Sequence, residues 1–290
     1  MLYTLENQFL TVRISDLGAE VVSVKSHDGC EYIWQADEKY WAEHAPLLFP
    51  ICGRLFGGKY TYGGKEYEMG IHGFARHLVF SAEEMGENAI RFTLTQNEMT
   101  LAVYPFDFCL SVEYRLCDNK LTGNITVKNT GNGILPFAVG LHPGFNVPLD
   151  KGSFEDWYLE FTEPCSPDKI LLSENHFITG KTEGFYLDGG KRLPLCHSLF
   201  DNDAIFLARN STEISLRSEK SARFVTFKAE NFPYVGFWQA SHTDAPYVCI
   251  EPWCGLPSYD EETDGFEKKR DMFRIHPNTE KKLEYSLIFG

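Results

Sequence analysis

A chain of 290 residues, 43% hydrophobic and 14% aromatic, can bury a large core in one big β domain or two ordinary ones. Acidic residues outnumber basic ones by 41 to 27, and the net charge of −14 disfavours phosphate-backbone partners and anionic membrane surfaces. No nucleic-acid or membrane partner is therefore expected; a small neutral molecule fits, as does a charged one held by a few local cations.

From the N-terminus the pattern has period two. Leu10, Val12 and Ile14 alternate with Phe9, Thr11 and Arg13, as on a half-buried strand. Asp28-Gly29 separates two apolar runs and signals a hairpin, and Gly63-Gly64 repeats the device. Between them, Asp37 to His44 reads as a short helix with Asp37 near its cap and Pro46 ending it. Residues 106–142 read as three long strands broken at Asp118-Asn119 and at Asn129 to Gly133. Further strands are expected over 154–161, 203–208, 213–218, 223–229, 234–240, 247–253 and 283–289, with a charged loop or single turn over 260–272. Many short strands, turn signals between them and few helices argue for an all-β sandwich or barrel. No linker, repeat or low-complexity segment divides the chain, so one domain over 1–290 is expected.

The start of the chain lacks the basic residues and apolar core of a signal peptide, and no run of 18 or more apolar residues occurs. Eight cysteines lie scattered with no CxxC pair, which removes the usual zinc spacing. A cytoplasmic protein with reduced thiols and no bound metal is expected.

Several polar residues sit where apolar ones would be unremarked. His72 and Arg76 share parity within the strand-like stretch Gly70 to Phe80, so a strand would put them on one face, as a structural ion pair or as a polar binding floor. His77, of opposite parity, is expected at the surface. His142 stands between Gly140 and Gly144 with Pro143 after it, which favours extended backbone and leaves room around the ring, as a functional group or as an exposed turn residue at a strand end. Glu251 follows the buried-looking run Val-Cys-Ile and precedes Pro252; unless a cation or several donors stabilise its charge, desolvation there should raise its pKa and suit it to general base work. Arg54 lies in a glycine-rich loop as a forked donor for hydroxyls, carboxylates or phosphate. Asp203 precedes an apolar strand, where capping a turn is the ordinary role. Trp34, Phe74 and Trp253 can stack on a sugar face or complete the core.

The ordered set GRLFGGKY, IHGFAR, GLHPGF and IEPW, with YIWQADEKYWAEHAPLLFP before it, resembles the aldose 1-epimerase (galactose mutarotase-like) family, and its bacterial LacX-like branch most. The resemblance implies a large antiparallel β-sandwich that binds a pyranose and interconverts its α and β anomers without a cofactor. It implies His142 as general acid toward the ring oxygen, Glu251 as general base on the anomeric hydroxyl, and Arg54, His72 and Asp203 as sugar ligands. Arg76 has no counterpart in the better-known galactose mutarotases. The pattern HGFAR is instead similar to hexose-6-phosphate 1-epimerases, where an arginine would hold phosphate. The expected partner is thus an aldohexose or its phosphate. A hexose-6-phosphate 1-epimerase and a non-catalytic carbohydrate-binding sandwich stand as alternatives. The oligomeric state is left open, a homodimer included, and Cys249 and Cys254 receive no role.

Overall fold

The computed structural model describes residues 1–208, 210–260 and 264–290. Among these, the strands form two large antiparallel sheets, of nine and eight strands, and three small ones. The chain is an all-β sandwich with a single α-helix among the described residues, at Glu98–Val103. Among the described residues, no helix is long and apolar enough to cross a membrane.

The nine-stranded sheet is built around three long neighbours, Phe108–Cys117, Lys120–Asn129 and Glu280–Phe289. The first two form the hairpin expected at Asp118-Asn119, and their buried residues alternate as one wetted face requires. The eight-stranded sheet carries Ile205–Ala208, Tyr234–Trp238 and Tyr247–Trp253 side by side. Ile205, Leu207, Val235, Phe237, Val248 and Ile250 point inward and join residues of the other sheet in one apolar cluster. Phe161 meets Phe237, and Phe227 meets Phe145, across the layers. The opposite face presents Phe206, Gly236, Trp238, Cys249, Glu251 and Trp253. Because that face is also covered by loops, Tyr247–Trp253 is buried at every position.

Three local expectations need correction. Gly70 to Phe80 is not a strand: His72 (φ +66°) and Gly73 (φ +72°) are consecutive left-handed residues, and a 3-10 turn follows at Ala75–His77. Asp37 to His44 makes one turn and no helix. The Trp41 carbonyl accepts a hydrogen bond from the Trp34 indole at 2.8 Å, and its ring is drawn onto His142 and Tyr247. The third long strand of residues 106–142 splits, because the chain changes sheets: Leu135–Phe137 pairs with Phe273–Ile275, whereas Gly140–Leu141 joins the eight-stranded sheet. Of the charged stretch 260–272, residues 261–263 lie outside the described residues, and Asp264–Gly265 pairs with Lys59–Tyr62.

Candidate active site

Glu251 lies within Tyr247–Trp253 and faces Gly236 on the neighbouring strand. A Cβ at Gly236 would come within 2.8 Å of the Phe206 ring and 3.3 Å of the Glu251 Cβ, so the glycine keeps the floor open. His142 connects Gly140–Leu141 to Gly144–Asn146, whose pairing with the Glu251 strand sets the two side chains together. His142 Nε2 is 3.3 Å from Glu251 Oε2, while His142 Nδ1 and Glu251 Oε1 are buried without a protein partner.

Burial pushes Glu251 well above the usual carboxylate range, and the Asp203 charge adds to the effect. Burial lowers His142 to about 3, with the Arg76 charge acting in the same direction. Both shifts favour the uncharged forms of the pair, which lies one proton transfer from carboxylate and imidazolium. His72 is held by the neighbouring loop: its amide donates to the Gly53 carbonyl at 2.7 Å, and its Nδ1 accepts from the Gly53 amide at 3.0 Å. The proton of its neutral ring is thereby left on Nε2. Burial first, then His142 and the two arginines, keeps His72 neutral.

Around these groups lies a cleft of about 260 Å³, small enough for a single compact ligand. Its lining contains all six polar residues expected at a site, Arg54, His72, Arg76, His142, Asp203 and Glu251, and not His77. Asp203 Oδ1 accepts from the Trp238 indole at 3.0 Å and Oδ2 lies 2.9 Å from His176 Nδ1. Trp253 lines the cleft and packs on Phe206 and His72. Of the other stacking candidates, Trp34 packs with Tyr40 and Tyr247, and Phe74 with Phe49, Tyr104 and Phe108.

Sequence reasoning missed Trp41, Glu43, His176 and Trp238, which also line the cleft. Trp41 lies over the His142 ring, centroids 4.9 Å apart. Nothing local marks them, since each reaches the cleft from a loop or a strand whose neighbours look like core. Ligand atoms of His142, Cys249 and Glu251 lie within 4.8 Å of one another, a donor set a soft cation can use. Such an ion would occupy both the imidazole and the carboxyl.

A cleft on the outer face of a large antiparallel sandwich thus holds a buried carboxyl–imidazole pair. The aldose 1-epimerase family model matches residues 1–259, and the chain belongs to that family of isomerases. Protein LacX of Lactococcus lactis subsp. lactis is 35% identical, with 99% of each chain aligned. The X-ray structure of a galactose mutarotase related enzyme from Lactobacillus acidophilus superposes with a TM-score of 0.95 at 38% identity, covering 100% of this chain and 97% of that one. A galactose mutarotase-like protein from Lactobacillus casei gives 0.93 at 33%, covering all of both chains.

Proposed function

We propose that the protein interconverts the α and β anomers of an aldohexose by opening and reclosing its ring. The observation that carries this reading is the secluded His142–Glu251 contact at 3.3 Å, with one unpartnered buried polar atom on each side chain. A bound sugar would supply what the pair lacks. Its anomeric O1–H would donate to Glu251, and its ring oxygen would accept from His142. These bonds favour the charged tautomer, carboxylate and imidazolium, over the neutral one.

The steps balance. Glu251 takes the O1 proton, the C1–O5 bond breaks, and its electrons leave on O5 as His142 protonates that oxygen. Rotation about C1–C2 presents the other face of the aldehyde. On reclosure O5 attacks C1, His142 takes back the O5 proton and Glu251 returns one to O1. No electron leaves the substrate, so the reaction calls for no redox cofactor. Each positioned acid or base contributes about 10²–10⁴-fold. Arg54, His72 and Asp203 would hold ring hydroxyls, and Trp253 would offer the sugar an apolar surface.

Magnetisation exchange between the two anomeric protons, measured by NMR with glucose and galactose, tests the reading. Acceleration over buffer is expected. Binding without acceleration would make the protein a carbohydrate receptor and overturn it.

A further inference from the structure

Of the two arginines in the cleft, one is spoken for. Arg76 Nη1 donates to Glu43 at 2.8 Å, Nη2 to the Ile71 carbonyl at 3.3 Å, and Nε to His77 Nε2 at 3.1 Å. Its side chain is 14% exposed and that of Glu43 is 29%, so the pair is only partly screened by water. The Arg54 side chain, by contrast, makes no hydrogen bond or ion pair among the described residues. Glu43 lies two residues after Trp41, whose ring packs at a tilt against His142. The Arg76 charge reaches the centre of the cleft, since it disfavours protonation of both His72 and His142.

We infer that Glu43 confines the cleft to uncharged sugars by occupying the arginine that would otherwise recruit a phosphate. A phosphate dianion approaching Arg76 must displace a carboxylate already in a 2.8 Å contact or sit beside its negative charge. Either course costs affinity, and Arg54 alone remains to compensate. A neutral aldose meets no such penalty. The presence of an arginine in HGFAR therefore does not signal a sugar phosphate here, because its partner lies about thirty residues upstream, in a separate loop. This inference rests on the epimerase reading and names the substrate class of that same cleft.

The test compares kcat/KM for glucose and glucose 6-phosphate, and for the galactose pair, in the wild type and in Glu43→Gln. The wild type should favour the free sugar. The amide is the same shape at a partly exposed position, so the fold should be kept while Arg76 is released, and the phosphate-to-free ratio should rise on the order of tenfold. Glu43→Asp, which keeps the charge, should stay near the wild-type ratio, and Arg76→Ala in the Glu43→Gln background should abolish the gain. A second arm titrates inorganic phosphate into each variant by calorimetry: only Glu43→Gln should bind it detectably better than the wild type. A wild type that prefers the 6-phosphate, or a ratio and phosphate affinity unmoved by Glu43→Gln, would overturn the inference. If no sugar exchanges in any variant, the epimerase reading falls, while the calorimetry still judges Glu43.

Discussion

Replacing Glu251 by Gln should produce an enzyme that is slower and, at neutral pH, more stable. The carboxyl is 1% exposed and one of its oxygens has no partner, so the amide can occupy the same space. It cannot accept the O1 proton, and loss of a positioned base lowers turnover by about 10²–10⁴-fold, roughly 3–5 kcal/mol of barrier. Stability should move the other way. The folded-state pKa of Glu251 is raised by burial, so between its unfolded value and its folded value the native chain holds a proton that the unfolded chain releases. This group's stabilising contribution is complete below the unfolded pKa and is lost as pH rises through the folded one, about 1.4 kcal/mol for each pH unit that separates the two values. The Gln variant carries no such loss. Its advantage in equilibrium unfolding should be present at pH 7 and shrink toward pH 4. Exchange NMR and denaturant titrations at both pH values read the two effects. Wild-type turnover in the variant, or a neutral-pH stability below the wild type's, would refute the reasoning.

Two more outcomes follow from the same geometry. Asp203→Asn removes a negative charge that helps hold the Glu251 pKa up, so the alkaline limb of the kcat/KM profile, where the pair loses its one proton, should move to lower pH, whatever the loss in KM; a limb that stays put would leave desolvation as the whole cause. Gly140→Ala would set a methyl 2.7 Å from Trp253 Cδ1 and 2.8 Å from Cys52 Sγ, an overpacking that costs about 1–3 kcal/mol. A Tm lower by several degrees with reduced turnover is expected, and an unchanged melting curve would show that Trp253 yields freely.

The sandwich was legible because its strands carry period-two patterns and its turns carry Asn, Asp and Gly. Leu10–Ser15, the hairpin at Gly63-Gly64 and the hairpin at Asp118-Asn119 all rest on such local signals. Misreadings fell where tertiary contact overrides local preference. Gly70 to Phe80 has the apolar content of a strand, but a Cβ at Gly73 would lie 2.3 Å from the Phe49 carbonyl oxygen, so the loop depends on close backbone approach that no spacing reveals. The helix at Glu98–Val103 could have been read from Asn97, which caps it reciprocally with Thr100, and from Pro105 just beyond.

The polar residues of the cleft were legible for a different reason, namely that they violate the pattern around them. Glu251 interrupts an apolar run, and the structure shows what that interruption implies: a carboxyl desolvated on every side and opposed by a single imidazole. Such a group costs stability whether or not it is used, so its position in the run is itself a chemical signal. Glu43 and His176 carry no such signal, because acidic and imidazole side chains in loops are ordinary. They matter only through what they touch, Arg76 and Asp203. Residues proposed to carry the reaction break a rule of folding and can be found in one sequence. Glu43, proposed to select the substrate through Arg76, obeys every local rule, and only the fold exposes it.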